Sequence, residues 1–244
     1  MTKGIFIVGT DTDVGKTIIT AGLLYVLRSK GHSATYFKGA LSGAIEKGDR
    51  LIPGDTDLVS RVSGLNESYE NITPYVYKTA VSPHLAAKIE DKPIDLNVII
   101  RRYEKLKEKY DFIIAEGSGG IICPLIDNDE EIYTLADLIK ELNMSTLVVA
   151  RAGVGTINHT VLTIKCIQSL GIKVKGIIIN NYEDTYVTRD NINVIERLTG
   201  VPVAKFKAIE NLDENSIENN IESIRNCAKN EFTDKNILTW MEEL

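Results

Sequence analysis

The stretch Gly9-Thr10-Asp11-Thr12-Asp13-Val14-Gly15-Lys16-Thr17 follows the apolar run Ile5-Phe6-Ile7-Val8 and precedes an apolar-periodic run from Ile18 to Leu27. Strand, glycine-bounded loop and helix in that order predict a phosphate-binding loop. Backbone N–H groups at the loop and helix start can surround phosphate oxygens, and the helix dipole adds positive potential there. Lys16 is placed to reach the outer phosphates, and the Thr17 hydroxyl to help hold Mg2+. A nucleoside triphosphate is the implied ligand and phosphoryl transfer the implied chemistry. The general motif has four residues between its first glycine and Gly-Lys-Thr/Ser, whereas five separate Gly9 from Gly15, so Thr10 takes the first-glycine place. Asp11 and Asp13 add carboxylates beside a polyphosphate. Such groups are repelled there unless they meet a cation, either a metal or a substrate amine.

Outward from this loop, the chain of 244 residues is long enough for one large α/β domain. One domain over residues 1–244 is expected, with C-terminal helices from residue 213 packed on it. Basic residues number 28 and acidic ones 34, a net charge of −6, which offers no electrostatic basis for binding nucleic acid or an anionic membrane. Cys123, Cys166 and Cys227 are few and widely spaced, and no C-x-x-C pair occurs, so neither a disulfide framework nor a zinc site is expected. The first strand begins almost at Met1, and no apolar run has the length of a membrane span. These features predict a soluble cytoplasmic protein.

Short β-branched runs alternate with longer helix-period segments. Strands are expected at 4–8, 34–38, 112–115, 146–150, 174–180 and 202–205. Helices are expected at 16–30, 55–62, 83–89, 96–109, 135–141, 157–170, 189–198 and 216–229, with a further short one before residue 244. Gly31, Gly171 and Gly200 follow three of them, where a left-handed cap is wanted. Continuous apolar strands between helices predict an α/β fold, a mostly parallel central sheet covered on both faces. In the C-terminal third Ile217, Ile221, Ile224 and Ala228 share one helical stripe, and Trp240 reads as a packing residue.

Ligands of such sheets gather at the carboxyl ends of the strands. Lys38 closes the second strand, where it could stabilise charge developing on transferring oxygens. Asp55 reads as a helix N-cap, which leaves Asp57 as the better metal candidate. The strand Phe112–Ala115 ends in Glu116, the expected place of an acidic Mg2+ partner. Thr17, Asp57 and Glu116 would then surround one magnesium. Asn180 and Asn181 end a further strand, and an asparagine amide can read an adenine edge or serve a turn. The glycine loop Arg151–His159 offers exposed amides suited to a carboxylate. His84 and His159 read as hydrogen-bonded structural groups and His32 as a helix-flank residue.

Together these segments resemble the dethiobiotin synthetases. The resembling pieces are Gly9–Thr17, Lys38 with Ser42-Gly43, Thr56-Asp57, Ser82-Pro83-His84, Glu116–Gly120 with Pro124-Leu125, Thr134–Asp137 and Gly155–His159, in family order. The resemblance implies a P-loop NTPase-like fold and an ATP- and Mg2+-dependent ligase. One amine of 7,8-diaminopelargonic acid takes up CO2, ATP phosphorylates the carbamate, and the second amine closes the ureido ring. By matched position Asp13, Val14, Gly15, Lys16 and Thr17, with Gly117, Ser118 and Gly119, line the nucleotide. Thr12 faces the diamine, and Lys38 and Ser42 contact substrate and carbamate. Asn180, Asn181, Lys207, Ala208 and Ile209 border adenine. The family is typically homodimeric, which implies that Gly155, Thr156 and Asn158 receive the substrate carboxylate from the neighbouring subunit. Two departures stand out. Lys38-Gly39-Ala40 replaces the usual Lys-Pro-Val, removing a constraint on the loop that aims Lys38, and the stretch Lys205–Ile209 lacks its usual proline.

Three rival readings fit less well. A partitioning or septum-positioning ATPase would carry an extra lysine early in the loop, where this chain has Thr10 and Asp11. A cobyrinic acid a,c-diamide synthase would need a glutaminase domain, and a nucleotide kinase an arginine-rich lid.

Overall fold

The computed structural model describes residues 1–129, 131–209, 212 and 217–244, the side chains of 217–219 excepted. Six strands lie parallel: β1 (Lys3–Gly9), β2 (Ala34–Phe37), β3 (Phe112–Gly120), β4 (Thr146–Arg151), β5 (Val174–Tyr182) and β6 (Val203–Lys207). Their order across the sheet is β6-β5-β4-β1-β3-β2. A last strand, β7 (Glu242–Glu243), pairs antiparallel with the start of β1, Lys3 opposite Glu243. Ile5, Phe6, Ile7 and Val8 are each at most 1% exposed, as a strand covered on both faces requires.

The helices that cover the sheet start and stop close to the sequence expectation. Helix α1 (Lys16–Ser29) follows the phosphate loop and α2 (Gly54–Ser63) follows the second strand's outgoing chain. Further helices span Pro83–Ile89, Leu96–Lys109, Leu135–Glu141, Thr156–Ser169, Tyr186–Thr199, Ile217–Glu231 and Asp234–Trp240. The Asp95 carboxylate accepts from Asn97 N–H and fixes the start of Leu96–Lys109. Gly31, Gly171 and Gly200 all have positive φ, as their cap positions demand. Gly22 lets α1 approach the helix Ile217–Glu231, since a Cβ there would stand 3.0 Å from Ala228 Cβ. On that helix Ile224 and Ala228 are buried and Ile221 packs beside them. Ser216, residues 213–215 and the side chain of Ile217 lie outside the described residues. Trp240 packs edge-on against Phe232, ring centroids 6.2 Å apart.

Two carboxylates are each held by several donors from distant parts of the chain. Glu242 on β7 accepts from the Ser145 hydroxyl and lies 3.0 Å from Lys175 Nζ. The Ser145 hydroxyl, with Lys175 and Lys173 beside it, outweighs partial burial and holds Glu242 at about 2, below its ordinary 4.5. Glu67 is also held at about 2: burial opposes this, but Lys109, Asn71, Tyr110 and the Ser68 N–H all donate to it. A depressed carboxylate pKa adds stability above the unfolded value, and this is lost as pH falls through the folded value. Stability to urea should therefore decline between pH 4.5 and about 2, and Glu67→Gln with Glu242→Gln should flatten that decline. A double variant as acid-sensitive as the parent would refute the assignment.

Candidate active site

Strand register brings the polar strand ends to one edge. Phe37 pairs with Ala115, so the next residues, Lys38 and Glu116, stand side by side. Glu116 itself is paired with Ile7, just before the phosphate loop leaves β1. Sequence reading ends this strand at Ala115, but β3 runs on to Gly120. Between the pairs Ile7–Glu116 and Gly9–Gly120 the register shifts, so Gly117–Gly119 bulge out. The bulge is built for glycine: a Cβ on Gly117 would come 2.4 Å from Leu135 Cδ2, and Gly119 has φ +68°.

A cavity of about 440 Å3 opens at this edge, lined by Thr12, Asp13, Gly15, Lys16, Thr17, Lys38, Ser42, Asp55, Glu116 and Gly117–Gly119 among others. Thr17 Oγ1 donates to Glu116 Oε1 at 2.9 Å, and Lys38 Nζ donates to the same oxygen at 2.9 Å. Lys38 also donates to Asp55. Burial pulls the Lys38 pKa down, but the Asp55 and Glu116 carboxylates outweigh it and hold the ammonium charged beyond its ordinary range. The Asp55 pKa is lowered in turn: burial would raise it, and Lys38 prevails. Lys16, 7% exposed, donates to the Asp11 carbonyl at 3.0 Å, and burial lowers its pKa. Its neighbour Gly15 has φ +93°, and a Cβ there would lie 1.9 Å from Asn180 Nδ2.

The structure reverses the order in which the sequence ranks two carboxylates, Asp57 ahead of Asp55. Asp55 is not the N-cap: α2 starts at Gly54, Pro53 precedes it, and Asp55 turns into the cavity. Asp57 turns away, accepting from the Tyr69 hydroxyl at 2.6 Å and lying 3.7 Å from Arg61. Residues two apart on a helix are rotated by roughly 200°, so they cannot share a face. The expected trio of Thr17, Asp57 and Glu116 is therefore replaced in space by Thr17, Asp55 and Glu116. Gly39 does not leave Lys38 loosely aimed. A Cβ on Gly39 would sit 3.3 Å from both Ile99 and Leu138 side chains, and the Lys38 N–H donates to Ile72 O at 2.8 Å.

Comparison with known proteins follows the same lines. A family described as an AAA domain matches residues 3–216. The chain is 60% identical to the ATP-dependent dethiobiotin synthetase BioD of Clostridium kluyveri over 245 residues, 100% of each chain. It is 50% identical to the BioD of Clostridium acetobutylicum, over 99% of this chain and 100% of that one. The chain belongs to the dethiobiotin synthetase family. Its activity class is accordingly that of an ATP-dependent ligase of biotin biosynthesis. Solved structures share the fold at low identity. A ParA family ATPase from Chlorobium tepidum is 15% identical over 98% of both chains, with TM-score 0.57. The septum site-determining protein MinD from Pyrococcus horikoshii, complexed with Mg-ADP, is 19% identical over 98% of this chain and 94% of that one, with TM-score 0.53. These likenesses bear out the parallel α/β architecture; the regulatory-switch alternative gains nothing further from them.

Other residues singled out from the dethiobiotin synthetase resemblance lie outside the main cavity. Asn180 is buried and its Nδ2 donates to Val14 O at 2.9 Å, bracing the phosphate loop. Asn181 is exposed with φ +54°. Lys207 points to Glu231 at 3.4 Å, Ala208 N–H faces Tyr182 O, and Ile209 packs partly buried. Gly155 starts the helix Thr156–Ser169 in a left-handed conformation, Thr156 is buried, and Asn158 is exposed. Thr156 and His159 line a second, narrower cleft of about 80 Å3 with Thr10, Asp11 and Arg151. His84 differs from expectation: its Nδ1 is buried without a hydrogen-bond partner among the described residues. His32 lies 3.3 Å from Asp234, on the flank of α1 as expected.

Sequence reading missed two residues of this edge. Arg151 Nη2 donates to Thr12 O at 3.1 Å, tying the phosphate loop to the end of β4. Tyr36, fully buried, stands beside Glu116 and Asp55; burial first, then those carboxylates, raise its pKa well above the ordinary value. An arginine beside glycines reads as a loop residue, and a tyrosine inside an apolar strand reads as core.

Proposed function

We propose that this edge of the sheet closes the ureido ring of dethiobiotin from 7,8-diaminopelargonic acid, CO2 and ATP, with residues 1–244 acting as one domain. The observation that carries the reading is the buried Lys38 ammonium set against Glu116 and Asp55, across one cavity from Lys16 and the loop Asp13–Thr17. The loop amides and Lys16 hold the triphosphate. Gly117, Ser118 and Gly119 border it on the bulge. Asn180 (by the rest of its amide edge), Asn181, Lys207, Ala208 and Ile209 border adenine.

Thr12, between Asp11 and Asp13, faces the diamine, whose charge answers the carboxylates. Ser42 and Lys38 hold the carbamate. A carbamate oxygen attacks the γ-phosphorus and ADP leaves; Lys16 and Lys38 spread the charge of the transferring group. The second amine then attacks the carbonyl carbon and phosphate departs with the oxygen. Phosphorylation is needed because a carbamate oxygen is otherwise a poor leaving group.

The donor set fits Mg2+. Glu116 Oε2 is buried without a hydrogen-bond partner among the described residues, and Thr17 and Asp55 supply a hydroxyl and a second carboxylate at the same place. No group of three or more His, Cys, Asp or Glu suited to a metal occurs among the described residues. A site with few protein ligands suits an ion that keeps waters and takes phosphate oxygens. Bound there, Mg2+ neutralises charge on the β- and γ-phosphates. Thr17, Glu116 and Asp55 would hold it, Asp55 in place of the Asp57 read from sequence.

A homodimer is supported by Val154, Leu162, Tyr186 and Val187, apolar side chains that are 101%, 61%, 78% and 55% exposed on and around two adjoining helices. Such a pair would let Gly155, Thr156 and Asn158 offer helix N-terminal amides to the neighbour's substrate carboxylate. No described helix is long and apolar enough to cross a membrane, and all three cysteines are free. We place the enzyme in the cytoplasm, without nucleic acid or membrane as partner.

Phosphate release measured on purified protein tests the reading. With Mg2+ and ATP, release should require both the diamine and bicarbonate. Rapid hydrolysis without the diamine, or a rate governed by DNA or vesicles, would instead support the regulatory-switch alternative.

A further inference from the structure

The carboxylates best suited to a divalent cation are already engaged by a cation of the chain itself. Lys38 is only 4% exposed at its side chain and donates to both Glu116 and Asp55. Thr17 Oγ1 spends its proton on the same Glu116 oxygen. Two carboxylates and one ammonium leave a local charge of about −1, and a divalent ion alone would neutralise both carboxylates. Lys38 would then be a surplus positive charge a few ångströms from that ion, and repulsion at such distances is strong in a buried site. Its free direction is the cavity, where Ser42, Thr12 and Lys16 line the walls and the anionic reactants collect.

We propose that Lys38 is an internal counter-ion that a divalent cation displaces from Glu116 and Asp55, so that metal binding and delivery of the Lys38 ammonium to the reactants are one exchange. This rests on the assignment of Glu116 and Asp55 as metal ligands. It gives the ion pair a purpose beyond packing. A permanent salt bridge would hold Lys38 away from the phosphoryl group, whereas an exchange releases it only when the metal is in place.

Binding of Mn2+ to the nucleotide-free full-length protein, followed by electron paramagnetic resonance, separates the possibilities. Lys38→Gln removes the competing charge and should bind Mn2+ at least about tenfold more tightly than the parent. Lys38→Arg, which keeps the charge, should show no such gain. Equal or weaker binding by Lys38→Gln overturns the exchange. Glu116→Gln should abolish the attenuation of the free-Mn2+ signal that binding produces; if attenuation persists, the metal assignment itself fails. Should Lys38→Gln not fold, the parent protein supplies a second measure. Acetylation of Lys38 by acetic anhydride, read by mass spectrometry, should be several-fold faster in Mg2+ with ADP than in EDTA with ADP. Equal or slower labelling in Mg2+ overturns the proposal.

Discussion

Lys16→Ala should lower kcat by about 10^3-fold or more while leaving the fold intact. Its ammonium is the phosphate loop's own cation, seated at the start of α1 and donating to the Asp11 carbonyl at 3.0 Å. Removing it strips charge from the transferring phosphoryl group. It leaves Glu116 and Asp55 paired with Lys38, because the Lys16 hydrogen bond goes to a backbone carbonyl. Steady-state kinetics beside a thermal melt check both halves. A melt close to the parent's with turnover lost is the expected pair, and unchanged turnover would remove the phosphate-loop assignment.

Lys38→Ala should depress kcat by about 10^2- to 10^3-fold and change the KM for ATP far less. The ammonium is expected to act on charge that develops in the transition state, not on the ground-state nucleotide. Unlike Lys16, it also neutralises a carboxylate that is 0% exposed at its side chain. Breaking a buried pair by removing one partner costs roughly 3–5 kcal/mol, so the variant should also melt at lower temperature. Kinetics run well below that melt separate the two effects. If KM for ATP rises while kcat holds, Lys38 is a binding residue only.

Much of this architecture is legible in the chain because the local signals agree with the global fold. The runs Ile5–Val8 and Gly176–Ile179 are apolar and β-branched, and both are buried strands. Glycines 31, 171 and 200 mark helix ends by the backbone conformation they alone adopt cheaply. What stays hidden depends on contacts across the sequence. The extension of β3 through Gly117–Gly119 has no strand propensity; it is held by pairing with Gly9 and by Leu135. The hairpin Ile45–Lys47 with Arg50–Ile52, and the parallel pair Ala40–Leu41 with Tyr75–Val76, are too short to show a period.

The site divides in the same way. Lys16, Thr17, Lys38 and Glu116 sit at strand ends or in the loop, and topology alone brings strand ends together. Choosing between Asp55 and Asp57 requires the rotation of α2, which sequence spacing does not set. Sequence offers Asn180 an adenine edge or a turn, yet its Nδ2 meets Val14 O from 166 positions away, a pairing only the folded sheet creates.

In the proposed reaction the carbon of CO2 becomes the ureido carbon of the product. Mass spectrometry of the product formed with 13C-bicarbonate, Mg2+, ATP and 7,8-diaminopelargonic acid tests it most directly. Label should be retained in a cyclic urea, with phosphate released in equal amount. Phosphate released with no labelled cyclic product would contradict it.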